Sequence, residues 1–197
     1  DDDIYLENYY FYKCLNLIFK KKAIGVCGII SNYKKNLIKD FFYYIFNLSV
    51  FRDNRYHYIN YQKLKKNNFY SKISQVPGGI TCFDQKIFKK VSFDEKYLTH
   101  NYEDVEFNLR IKKNFDQVNL YIHLHAEAID LLDKSKKENL FSRIYFMKLL
   151  YLRNKKFIFF IFFNLSFLGL LISNIFNFNL NDYKKINKSL ETANKKC

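Results

Sequence analysis

The pattern of apolar and polar positions predicts helices alternating with short strands. Apolar residues recur at helical spacing from Ile4 to Lys20, and the lysines that follow favour a helix C-terminus. The β-branched run from Ala23 to Ile30 is bounded by turn formers and predicts a buried strand. Strict alternation from Gln117 to Ala126 predicts a second strand with one apolar face. Together these elements predict a mixed α/β fold.

An acidic helix start, residues 103–110, precedes the second strand. A helix that begins at or just after Asp104 places this carboxylate in its first turn, where free N–H groups and the helix dipole favour negative charge. Glu106 and Arg110 are spaced i, i+4 and can pair along the helix flank. Taken alone, the segment is also typical of an ordinary amphipathic helix.

Two adjacent glycines, Gly78 and Gly79, follow Pro77 in a chain with one Pro and five Gly. They permit a positive φ or the close approach of a ligand to the backbone, and a tight turn before a strand is the equally good alternative. A short helix is predicted over 83–90. Between Tyr33 and Asn68 the periodicity is weak, and we expect an insertion or a loop region there.

The C-terminal part of the chain is strongly apolar. A capping-box pattern at Ser135 predicts a long helix through Leu152. Residues 157–176 carry no charge, a run long enough as a helix to cross a bilayer core, and a buried or partner-facing helix is the alternative. We therefore expect a membrane-associated or transmembrane helix at 155–178 and a polar tail at 179–197. Lysines flank the run on both sides, so the orientation of its far end stays open.

Composition narrows the classes of partner. The net charge is +14, but the lysines are scattered in twos and threes, which argues against nucleic acid and favours an acidic lipid surface. The four cysteines lack CxxC spacing and are typical of reduced thiols in a cytoplasmic protein.

Candidate metal ligands stand at the start of the chain and on the second strand. Asp1 and Asp3 point the same way on an extended backbone and can reach one divalent cation, while Asp2 faces elsewhere. Outside a metal site such a run is a solvated turn. His123 and His125 share one strand face, and a hydrogen-bonded surface role is the ordinary alternative for either.

Taken in order, these motifs resemble the later two-thirds of a family 2 glycosyltransferase of the GT-A fold. Each motif alone is weak evidence for the family, and the resemblance rests on the order of the motifs and the intervals between them. The matching segments are Asp1-Asp2-Asp3 for the Asp-x-Asp motif, Gly78-Gly79 with the helix after it, Phe93-Asp94-Glu95, Glu103-Asp104 through Arg110, His125, and Arg153-Asn154 before the apolar run.

The resemblance implies an inverting sugar transfer from a nucleotide-diphosphate sugar to the hydroxyl of a glycan or lipid-linked acceptor, in cell-envelope or surface polysaccharide synthesis. Asp104 would be the catalytic base, and Mn²⁺ or Mg²⁺ would be the cofactor. The implied metal ligands are Asp1, Asp3 and His125, with His123 an open alternative; the implied substrate-binding residues are Asp2, Gly78, Gly79, Glu103 and Arg110.

The resemblance also implies that residues 1–154 are the C-terminal two-thirds of a GT-A domain, with a mixed sheet flanked by helices. We expect an upstream part with the first nucleotide-binding strands, and a fragment without it to be inactive. The apolar helix would hold the protein at the cytoplasmic face of a membrane. Two other functions fit the same residues: a membrane-anchored scaffold, or another metal-dependent nucleotidyl or phosphoryl transferase.

Overall fold

The computed structural model describes residues 4–32, 64–94 and 103–131, together with isolated helical positions between 145 and 191. The chain divides into two compact units, of which the first comprises residues 1–36, 53–98 and 103–135. The elements that follow lie in the first unit. They are β1 (Ile4–Leu6), α1 (Tyr10–Lys21), β2 (Gly25–Ile30), β3 (Tyr70–Ile73), β4 (Thr81–Phe83), a 3₁₀ helix (Gln85–Lys89), α2 (Glu103–Asn114) and β5 (Leu120–Asp130).

The five described strands form one mixed sheet in the order β1-β5-β2-β4, and β3 also pairs with β5. The central strands β2 and β5 are parallel, with Gly25 opposite Leu120. Antiparallel pairing adds β1, β3 and β4 at the two sides of this pair. The mixed α/β fold predicted from the sequence is therefore confirmed.

The main core packs α1 against the sheet. Every second residue of β5 is buried, from Leu120 to Ala128, as the alternation in the sequence predicts. Tyr10, Cys14, Leu17 and Ile18 form the buried face of α1. Lys22 ends the helix in a left-handed conformation and donates its N–H to the carbonyl of Ile18.

A second core cluster fixes α2. Phe107 is buried and stacks on Phe93 with 4.1 Å between the ring centroids. It also meets the edge of the Phe83 ring at 5.4 Å, and Ile87 and Ile111 complete the cluster. Aromatic contacts of this kind add to the free energy of burial, so the helix is tied to the segment that follows β4.

Several predicted boundaries are wrong, and tertiary pairing explains each correction. Residues 4–6 are a strand and not the first turn of a helix, because they pair with β5; the helix begins only at Tyr10. Phe83 belongs to β4, the strand that the alternative of a turn before a strand predicts, because it pairs with β2; the short helix begins only at Gln85. Strand β3 was not predicted, and β5 extends beyond Ala126 to Asp130.

The predicted helix of 135–152 and the predicted apolar helix of 155–178 lie mostly outside the described residues. Of these segments, the described positions Leu149, Phe157, Phe160 and Ile161 have helical backbone. Within the part of the chain that is described, no helix is both long and apolar enough to cross a bilayer. The apolar C-terminal helix stays a prediction.

Candidate active site at the carboxyl edge of the sheet

One edge of the sheet collects the ends of three strands. The parallel strands β2 and β5 end there, at Ile30 and Asp130. The antiparallel strand β1 begins there, because Ile4 pairs with Asp130. Strand β4 begins at Thr81, opposite Cys27 in the middle of β2, so the loop before it lies on the carboxyl side of that position. Ligands of α/β sheets bind outside the carboxyl ends of the strands, so this edge is the first place to look for a site.

The Gly78 backbone lies beside the first turn of α2. A Cβ atom built on Gly78 would be 3.5 Å from the Cβ atom of Asp104. Gly78 and Gly79 are exposed, and Asp104 is half-buried. No glycine among the described residues has a positive φ. Gly79 and Ile80 form a turn directly before β4, so the predicted alternative of a turn before a strand is confirmed. Two motifs that are far apart in sequence thus meet at one point.

Asn108 joins the same two segments. Its Nδ2 donates to the carbonyl oxygen of Val76 at 2.8 Å, and its Oδ1 accepts from the N–H of Val76 at 3.3 Å. The same Nδ2 also donates to the carbonyl oxygen of Asp104 at 2.6 Å. Since Asn108 and Val76 are buried, these bonds replace water at the backbone and hold the glycine loop against α2.

Asp104 lies in the first turn of α2, as predicted, and its Oδ1 accepts from the N–H of Val105 at 2.7 Å. Glu103, the first residue of the helix, is exposed. Three acidic residues therefore lie in the first turn of α2. A carboxylate that borders an exposed glycine loop can accept a proton from a bound hydroxyl group.

Arg110 pairs with Glu106, as the i, i+4 spacing predicts. Its Nε lies 2.8 Å and 2.9 Å from the two carboxylate oxygens of Glu106. Glu106 is buried, so this pair neutralises a charge that would otherwise be costly to bury. The buried Nη2 of Arg110 has no hydrogen-bond partner within the described structure. The predicted role of Arg110 in substrate binding stays a prediction.

Tyr10 connects α1 to the glycine loop. Its hydroxyl group accepts from the N–H of Gly28 at 2.7 Å and donates to the carbonyl oxygen of Ile80. Burial is the main cause that raises the pKa of Tyr10, so this hydroxyl group keeps its proton. Sequence reasoning did not single out this residue.

Gln75 is a second residue that no sequence pattern singled out. It is fully buried directly before Val76, and neither atom of its side-chain amide has a partner in the described part of the chain. Leaving both atoms unsatisfied costs free energy, and such groups are uncommon in native proteins. Only the tertiary structure reveals it, because glutamine in a polar loop carries no sequence signal.

His125 lies five positions before Asp130 on β5, in the stretch where the pairing of β5 with β2 shifts its register between Cys27 and Ile29. Its carbonyl oxygen accepts from Lys13, and its ring lies 5.1 Å from the Phe69 ring. The N–H of His125 donates to Nδ1 of His123 at 3.2 Å, so this nitrogen of His123 is occupied.

Asp1, Asp2 and Asp3 lie outside the described residues, so the predicted cation site is described only in part. Among residues 4–32, 64–94 and 103–131, no three His, Cys, Asp or Glu side chains are grouped to hold a metal ion. The residue opposite Ile4 is Asp130 and not His125. Asn32 holds the backbone of Asp130 by two hydrogen bonds, of 2.7 Å and 3.1 Å. Asp130 is the last residue of β5, four residues beyond the predicted end of the strand at Ala126. A prediction that extended the strand to Asp130 would have included this carboxylate.

Comparison of the chain with protein-family models, with curated proteins and with solved structures finds no match. Function is therefore inferred from the residues and their geometry.

Proposed function

We propose that this chain forms the acceptor-side part of a metal-dependent, inverting glycosyltransferase with a GT-A-like fold. The proximity of the Gly78 backbone to Asp104 carries the proposal, since a Cβ atom added at Gly78 would lie 3.5 Å from that of Asp104. Gly78, Phe93 and Asp104 come from three motifs of the resemblance, and Phe107 and Asn108 hold all three in one neighbourhood. A scaffold protein gives no reason for an acidic helix start to border a bare glycine backbone.

The proposed reaction is one displacement at the anomeric carbon of a nucleotide-diphosphate sugar. The acceptor hydroxyl oxygen forms the new bond, its proton passes to the carboxylate of Asp104, and the nucleoside diphosphate leaves from the opposite side with inversion. The backbone at Gly78 and Gly79 gives a sugar ring access to Asp104, and Glu103 orients the acceptor. When bound, Mn²⁺ or Mg²⁺ would offset the negative charge that grows on the leaving diphosphate.

For the cation we propose Asp1, Asp3 and His125 as ligands, as the sequence predicts. Carboxylate oxygens suit both ions, and an imidazole nitrogen suits Mn²⁺. Asp130 pairs with Ile4 and therefore shares its face of the sheet, whereas Tyr5 pairs with Ile129, on the face of β5 that also carries His125. On an extended backbone Asp1 and Asp3 take the face of Tyr5, so the register is compatible with His125 as the ligand contributed by β5.

The test is an assay of the longer protein that the resemblance implies, supplied with nucleotide sugars and Mn²⁺. Release of a nucleoside diphosphate supports the proposal, and release of pyrophosphate would identify a nucleotidyl transferase instead. Asp104→Asn should lower turnover by at least about a hundredfold while donor binding stays near normal. Asp84→Asn is the matched control, because Asp84 caps the 3₁₀ helix by accepting from the N–H of Lys86 and pairs with the ammonium group of the same residue, outside the motifs of the resemblance. Equal turnover in the two variants would remove Asp104 from the mechanism.

A further inference from the structure

The outward face of α1 is apolar and exposed. Phe11, Leu15 and Phe19 are spaced i, i+4, i+8 and are 60%, 44% and 79% exposed, and Tyr12 beside them is 68% exposed. The opposite face of the same helix is buried in the core. Surface helices of water-soluble proteins usually carry polar residues on the outer face. In α1 the polar residues Asn16 and Lys20 share the exposed side with this apolar stripe. An exposed patch of this kind marks an interaction surface.

Lysines follow this face at its C-terminal end. Residues 8–22 contain four lysines, namely Lys13, Lys20, Lys21 and Lys22, and no acidic residue. Lys13 is paired with Glu7 at 2.6 Å and does not belong to this group. Lys20 and Lys22 are exposed at the C-terminal end of the helix, directly after Phe19. Lysine side chains next to an apolar surface extend their ammonium groups toward anionic lipid headgroups while their methylene groups stay on the apolar side. The whole chain, with a net charge of +14, adds to this attraction.

We propose that the outward face of α1 docks on an anionic lipid bilayer. Phe11, Leu15 and Phe19 enter the boundary between headgroups and acyl chains, Tyr12 lies at headgroup level, and Lys20 and Lys22 contact the lipid phosphates. The helix lies in the plane of the surface and does not cross the membrane. This proposal depends neither on the proposed sugar transfer nor on the predicted C-terminal helix.

Charge argues against the other occupants of this face. A second copy would bring two sets of lysines together, with no acidic residue in 8–22 to pair with them. Like charges at such an interface repel each other. An acidic lipid surface instead complements both features, the lysines and the apolar stripe.

The sequence contains no Trp, so one introduced Trp reports on a single position. In the full chain, Phe19→Trp should show a blue shift of its emission on vesicles of phosphatidylcholine with phosphatidylserine, and brominated lipids should quench it. Phe69→Trp is the matched control, since Phe69 is also exposed but lies outside α1. Equal shifts in both variants, or none in Phe19→Trp, would overturn the proposal. Acrylamide quenching without vesicles gives a further check. If the indole of Phe19→Trp is already shielded from acrylamide, the chain or a second copy covers the face, and the proposal is overturned.

Binding measured by vesicle sedimentation gives the second test. Phe11→Ser combined with Phe19→Ser should weaken binding at least about tenfold, because burial of each ring is lost. Phe69→Ser combined with Leu131→Ser removes two exposed apolar side chains elsewhere and should leave binding unchanged. Pure phosphatidylcholine vesicles and high salt should each reduce binding. Unchanged binding of the α1 variant, with an unchanged circular dichroism spectrum, would exclude the face as the docking surface.

Discussion

The side chain of Asn108 hydrogen-bonds both main-chain groups of Val76. It accepts from the N–H at 3.3 Å and donates to the carbonyl oxygen at 2.8 Å. One side chain on α2 thus fixes the loop that contains the two exposed glycines. The geometry between Gly78 and Asp104 depends on this link, because Asn108 also bonds the carbonyl oxygen of Asp104. Replacing Asn108 therefore tests how much this link between α2 and the loop contributes to the stability of the fold.

Asn108→Leu leaves two buried backbone groups of Val76 without a partner. We expect a loss of about 3 kcal/mol in the free energy of unfolding, measured by urea denaturation. The matched control is Asn114→Leu on the same helix, since Asn114 is exposed and donates only to the carbonyl oxygen of Arg110. Its cost should stay below about 1 kcal/mol. Equal losses would show that Asn108 does not fix the loop.

Gly78→Ala should fold normally, because its new methyl group meets Asp104 at the ordinary contact distance of 3.5 Å. The methyl group would occupy the space beside Asp104, so transfer by the longer protein should fall while the melting temperature stays the same. Gly28→Ala is the contrasting variant. Its Cβ atom would lie 2.2 Å from the carbonyl oxygen of Ala126, and we expect severe destabilisation. Normal transfer by Gly78→Ala would argue against a substrate site at this loop.

His125→Gln should weaken Mn²⁺ binding to the longer protein, whereas Asp130→Asn should not. The reason is the register of β1 on β5, which places Asp130 on the face of Ile4 and leaves His125 on the face of Tyr5, where an extended backbone also places Asp1 and Asp3. Titration of Mn²⁺ followed by paramagnetic resonance measures both affinities, and we expect a loss of at least about tenfold for His125→Gln alone. The reverse order would exclude His125 as the ligand predicted from the sequence.

His123 should make stability depend on pH in mildly acidic solution. Burial, then the charges of His125 and Lys13, lowers the pKa of His123 from 6.5, although Glu7 acts in the opposite direction. The unfolded chain then binds a proton at a higher pH than the folded chain does. This contribution to stability is complete above pH 6.5 and is lost as the pH falls toward the folded pKa. Urea denaturation at several pH values across this window should show that the free energy of unfolding depends less steeply on pH in His123→Gln than in the unchanged chain. An identical dependence on pH would refute the assignment.

The sequence determined the elements whose signals are local. The helix start at Glu103 and the buried strand near Gly25 follow from dipole, spacing and β-branched composition, and the structure has both. The alternation that begins at Leu120 likewise predicted which face of β5 is buried. The pairing of Glu106 with Arg110 was predictable because i, i+4 neighbours on a helix are close in any fold.

Only the tertiary structure decided which distant residues meet. Residues 4–6 are a strand because β5 offers them a partner, and no local pattern encodes that. The contact of Gly78 with Asp104, the hydrogen bonds of Asn108 and the buried amide of Gln75 depend on how α2 packs against the loop before β4. Periodicity along a chain reports which face of an element is buried, whereas the identity of the neighbour follows from the packing of elements that are far apart in sequence.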